Sequence, residues 1–231
     1  MNITIKKLVT ATLAAGAFAL CAPVAHATLI VTLSDGTNSV TAIDGGLGDQ
    51  DLAHAGSVLF VGSVGSWIFS VTSGVSNAPA SVGMPAQLSL TSIDVSFGGA
   101  GSLTITLTDS NLINPLGTNL GAITSIGGTI VGGGTVSAYS LFNGNPLINL
   151  GSFTGPPSYN FSGGGSTSVN TTGGFGLSNV ATVTFGTGGG STNFGMTTTV
   201  PEPATLGLLG LGLIGLGLAR RKSARRQTSE V

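Results

Sequence analysis

Between Thr28 and Thr199 the chain has no lysine, no arginine, no glutamate and no cysteine. Each absence removes a class of chemistry. Without basic side chains the segment cannot neutralise phosphates, so nucleic acid is excluded as a partner. Electrostatic attraction to anionic lipid is excluded on the same ground. Lys or Arg salt bridges cannot form there, and stability must come from apolar burial and backbone hydrogen bonds. The only cysteine, Cys21, precedes a signal-type cleavage site, so the mature chain has neither a disulfide nor a thiolate site. No strict repeat is present, which argues against a solenoid. The side chains left in the segment that can carry charge near neutral pH are Asp35, Asp44, Asp49, Asp51, Asp94, Asp109 and His54.

All basic residues sit at the two ends. Lys6 and Lys7 precede an apolar run from Leu8 to Leu20, and Ala25-His26-Ala27 is a small-x-small cleavage site. Residues 1–27 are therefore expected to be a cleaved signal peptide of the Sec type, with Ala25 and Ala27 marking the cut. Leu20 stands where a lipoprotein signal needs a small residue, so lipidation of Cys21 is not expected. At the other end, Pro201-Glu202-Pro203 is followed by a Leu/Gly run over 204–219 and a basic cluster over 220–226. As a helix that run measures about 24 Å, short of the roughly 30 Å hydrocarbon core. Glycines at 207, 210, 212, 215 and 217 weaken its helix propensity. Arg220, Arg221, Lys222, Arg225 and Arg226 form the membrane stop and belong on the cytoplasmic side. Residues 28–199 are then expected outside the inner membrane.

The order of tripeptide, short apolar helix and arginine cluster over 200–226 resembles the PEP-CTERM sorting tail of Gram-negative bacteria, also called an ice-binding-protein C-terminal domain. The resemblance implies recognition by an exosortase, a membrane-embedded cysteine protease. It further implies cleavage near Pro201–Pro203 and transfer to the cell surface, or to the extracellular polysaccharide of a biofilm matrix. The residues fit such a role. Pro201 and Pro203 hold φ near −65° and keep the segment extended, with Glu202 as a charge between them.

The passenger, 28–199, reads as all-β. Trp67, Phe69 and Val71 alternate with Ile68, Ser70 and Thr72; Leu103, Ile105 and Leu107 alternate with threonines; Ala181, Val183 and Phe185 do the same. Period two with β-branched and aromatic residues marks half-buried strands. A phase change between Leu90 and Ile93 predicts a bulge near Ser92. An antiparallel β-sandwich or barrel-like domain follows, with one short transmembrane helix at the C-terminus. Composition shifts near residue 113, which leaves open a division into two small domains. The second half, with Gly132–Gly134, Gly163–Gly165 and Gly188–Gly190, predicts long Gly-rich hairpin loops, and Gly186–Thr199 reads as a flexible spacer. Segments from Asp44 to Asp51, Gly56 to Phe60, Gln87 to Leu90 and Leu103 to Asp109 resemble a recurring PEP-CTERM passenger type, which implies no activity.

Ligand chemistry concentrates in one place. Asp44, Asp49 and Asp51 lie among Gly45, Gly46 and Gly48, and three carboxylates without a basic neighbour suit Ca²⁺. The spacing matches neither an EF-hand nor a glycine-rich nonapeptide repeat, and a solvated turn with Asp side chains on local amides is the competing expectation. His54 follows Asp51 by three residues, but no nucleophile elbow or second histidine accompanies it. Asp94 and Asp109 read as strand-end or turn residues. No enzyme is expected. The sequence thus points to a non-catalytic envelope or matrix protein, with a Ca²⁺- or glycan-binding adhesin module as the alternative. Thr104, Thr106 and Thr108, with Thr182 and Thr184, form short ladders, yet without an array on stacked coils ice binding is disfavoured.

Overall fold

A computed structural model describes residues 28–77, 85–112, 119–156 and 158–201. The expected signal peptide with Ala25 and Ala27, Glu202 and Pro203, the 204–219 segment and the basic cluster lie outside the described residues. Within them the chain forms twelve strands: β1 (Leu29–Ser34), β2 (Ser39–Ile43), β3 (Ser57–Val64), β4 (Trp67–Ser76), β5 (Ala86–Phe97), β6 (Gly101–Leu112), β7 (Leu120–Val131), β8 (Gly134–Phe142), β9 (Asn145–Gly155), β10 (Ser158–Val169), β11 (Phe175–Phe185) and β12 (Gly190–Val200).

The strands pair antiparallel in two six-stranded sheets. The first runs β2-β1-β6-β11-β8-β9 and the second β3-β4-β5-β12-β7-β10. Read in that order, each strand of one sheet stands opposite a strand of the other, in five of the six pairs its sequence neighbour. Strands β5 to β12 have the connectivity of an eight-stranded jelly roll, and β1 to β4 widen each sheet by two strands. The result is a β-sandwich. Strands from before and after residue 113 share both sheets and surround one core.

Inward positions are those the alternation marks. Trp67, Phe69, Leu103, Ile105, Leu107, Ala181, Val183 and Phe185 are all buried. The bulge near Ser92 is present. Thr91 and Ser92 together oppose Gly195 of β12, and Ser92 has φ 54°. It restores the inward phase from Leu90 to Ile93.

Two expectations are overturned. Gly186–Thr199 is no spacer, because Gly190–Val200 is an inner strand held between β5 and β7. Its inward row is Thr192, Phe194, Met196, Thr198 and Val200, and the two threonines hide the apolar period. Nor is Gly163–Gly165 a loop; it lies inside β10. A Cβ on Gly163 would stand 2.6 Å from the Phe153 ring, and one on Gly165 2.7 Å from Ile148. Glycine there lets β9 side chains cover the β10 backbone.

A polar belt crosses the core. The Thr124 hydroxyl bonds Ser140 at 2.8 Å and Thr198 at 3.0 Å, Thr198 donates to Asn179 Oδ1 at 2.5 Å, and Asn179 Nδ2 donates to the Leu88 carbonyl at 3.0 Å. Thr124, Thr198 and Asn179 are fully buried, so the bonds to Ser140, from Thr198 to Asn179 and from Asn179 to Leu88 tie the two sheets together without water competing. The Thr124–Thr198 bond links neighbouring strands of one sheet.

Candidate functional site

Antiparallel pairing gathers the connections at two ends. One end carries the start of β1, the 44–56 loop and the exit of β12. We call it the terminal end. The opposite, turn end has the 35–38, 98–100, 132–133 and 186–189 connections.

The acidic loop closes the terminal end. Its backbone is pinned by Ile43 N–H to Leu47 O (3.0 Å), Asp44 N–H to Leu29 O (3.0 Å) and Gln50 N–H to Leu59 O (2.9 Å). Within it the three aspartates take different partners. Asp49 is buried, and its carboxylate accepts the amides of Gly45 (3.0 Å), Asp51 (2.9 Å) and Leu59 (3.0 Å). Asp44 Oδ2 accepts the Gly56 amide at 2.7 Å. Asp51 pairs with His54 Nδ1 at 2.5 Å on the surface. That contact lowers the Asp51 pKa and raises that of His54. Among the described residues no group of three His, Cys, Asp or Glu side chains converges to hold a metal.

Asp109 is the functional candidate that sequence reasoning misplaced. It belongs to no turn; it sits within β6, fully buried. Its carboxyl oxygens have no hydrogen bond of ordinary geometry. Burial pushes its pKa up and the Asp44 charge adds to that, while the Ser76 hydroxyl and Ser110 amide act the other way. Asp94 likewise lies within a strand, in register with Asn193 on β12.

The outer face of the first sheet is a second candidate. Ser34, Thr104, Thr182, Ser137 and Ser152 form one row across five strands. Thr104 and Thr182 bond at 3.3 Å, and Ser137 and Ser152 at 2.8 Å. In the next row Tyr139, 40% exposed, stands between Val180 and Asn149. No charged side chain falls in either row. The sequence offered the Thr ladders on single strands, but the rows across strands depend on register.

Residues 199–222 match the PEP-CTERM protein-sorting motif, which marks bacterial proteins for export and surface sorting. No curated protein matches the chain by sequence. Among solved structures, a carbohydrate-binding module, TmCBM61 in complex with β-1,4-galactotriose, overlaps 60% of this chain and 90% of its own, at 12% identity and a TM-score of 0.33. CBM35 from Paenibacillus barcinonensis overlaps 65% and 96%, at 18% identity and a TM-score of 0.27. The enzymatically active domain of bacteriophage CBA120 tailspike protein 4 overlaps 69% and 21%, at 14% identity and a TM-score of 0.31. Overlaps this slight transfer no function.

Proposed function

We propose that the chain is an exported, surface-sorted, non-catalytic protein of the bacterial envelope or biofilm matrix, processed by an exosortase near Pro201–Pro203. The supporting observation is a junction. Val200 is a fully buried residue at the end of an inner strand, and the sorting tripeptide begins with the very next residue. A cut there releases a complete sandwich and removes the whole apolar and basic tail. The C-terminal peptide mass of protein recovered from the cell surface tests this. A terminus within a few residues of Pro203 is expected, and a surface form ending at Val231 would overturn the proposal.

A second role on the same scaffold, binding a neutral extracellular polysaccharide, is favoured by the uncharged hydroxyl rows beside Tyr139. An exposed ring can stack on a sugar face while flanking hydroxyls bond its hydroxyls. Tyr139→Ala should weaken saturable, competable binding to neutral glycans at least tenfold. Equal binding by the variant would remove this face from consideration.

A further inference from the structure

Among the described residues, the buried side-chain oxygens left without a hydrogen bond are both on Asp109. We propose that Asp109 and Asp44 together hold a calcium ion at the terminal end, beneath the 44–56 loop. The two residues flank Leu29, Asp44 as the first residue beyond β2 and Asp109 within β6. The Asp44 amide bonds the Leu29 carbonyl on one side, and Leu29 is in register with Asp109 on the other. Residues directly opposite in a row project to the same face, and Leu29 and Asp109 are both buried.

Chemistry narrows the occupant. A buried carboxyl that backbone amides do not satisfy, as they satisfy Asp49, must take up a proton or a cation. A proton would serve Asp109 alone and leave half-buried Asp44, held by the Gly56 amide, as a bare negative charge beside it, with no lysine or arginine between Thr28 and Thr199 to balance that charge. A divalent ion neutralises both. The donors are all oxygen: two carboxylates and the neighbouring Ser76 hydroxyl, with backbone carbonyls and water to complete the shell. That set suits the irregular, roughly six- to eight-oxygen coordination of Ca²⁺. Asp49, satisfied by three amides, needs no ion and serves as the internal control.

The test is thermal melting of the full chain in detergent, in CaCl₂ and in EDTA, with calorimetric titration of CaCl₂ alongside. At a hundredfold excess over Kd, Ca²⁺ should raise the wild-type melting temperature by about 5–10 °C. Asp109→Asn, nearly isosteric, should melt identically in Ca²⁺ and EDTA and give no titration heat, and Asp44→Asn should lose most of the shift. Asp49→Asn should melt lower than wild type yet keep the Ca²⁺ increment. A wild type indifferent to Ca²⁺, or an Asp109→Asn chain that still responds, would overturn the proposal. So would a response lost in Asp49→Asn alone, which would place the ion in the exposed loop.

Discussion

At the turn end the layer between the sheets is aromatic: Trp67 stacks on Phe97 with ring centroids 4.5 Å apart and on Phe185 at 5.7 Å. At the terminal end the corresponding layer contains Asp109 and Ser76, under a loop carrying Asp44, Asp49 and Asp51. The same two sheets thus close dry at one end and polar at the other. The first arrangement draws its stability from area and dispersion, and it tolerates short connections. The second has to satisfy carboxylates, and its amides do so for Asp49 but not for Asp109. Chain entry and exit are at the polar end too, so any ligand or processing event there acts where the fold is least self-sufficient.

The largest expected effect lies at the dry end. Trp67→Ala should cost about 3–5 kcal/mol in denaturant unfolding, because a fully buried ring and two stacking partners are lost together. A loss under about 1 kcal/mol would erase the contrast between the ends. Next comes the polar belt between the sheets. Asn179→Ala should cost about 1–3 kcal/mol by removing the acceptor of the Thr198 hydroxyl and the bridge to the Leu88 carbonyl. Thr198→Val should recover part of that cost in the double variant, and strict additivity would mean that the belt does not act as a unit.

Two glycines sharpen the comparison further. Gly189, at the turn end, has φ +66°, and an added Cβ would run into the Phe97 carbonyl; Gly144, at the terminal end, has φ +77° and open space. Both alanine variants carry conformational strain, but only the first adds a backbone clash. Expected losses are about 2 kcal/mol or more against about 1 kcal/mol. Equal losses would show that the turn end yields as readily as the other.

The smallest effect is electrostatic and exposed. The Asp51 contact raises the His54 pKa above 6.5, so its stabilising contribution is complete below that value and fades as pH climbs through the raised one. Asp51, lowered from 3.8, contributes above that value and ceases to as pH falls through its folded pKa. The pair therefore acts in the window between. An NMR titration should place the His54 midpoint above 6.5 and return it toward 6.5 in Asp51→Asn or in high salt. An unchanged midpoint would mean the contact is not populated.

Legibility in the sequence followed polarity. Strands whose inward rows are apolar, such as Trp67–Phe69 and Leu103–Leu107, stand out by their period. Strand β12 did not, since Thr192 and Thr198 occupy inward positions and are satisfied there by the Thr129 carbonyl and by Asn179. The same reason hid Asp109, whose neighbours on β6 are the threonines and serines of an ordinary outward face. Of the acidic loop, the turn and its local amides were readable from the Gly and Asp spacing. So was the nearness of His54 to Asp51, but the distant partners of Asp44 and Asp49 were not, because Gly56 and Leu59 reach them from twelve and ten residues away.

By itself the chain order determined the sorting motif at the C-terminus and the lack of lysine and arginine through the middle. Charge placement is a one-dimensional property, and no folding can supply a lysine that is missing. The tertiary structure alone decided which strands become neighbours, and with that which hydroxyls align in rows and which carboxylates flank Leu29. Register and sheet order bring together residues as distant as Leu29 and Asp109, and that proximity is set by the sum of core packing rather than by any local pattern.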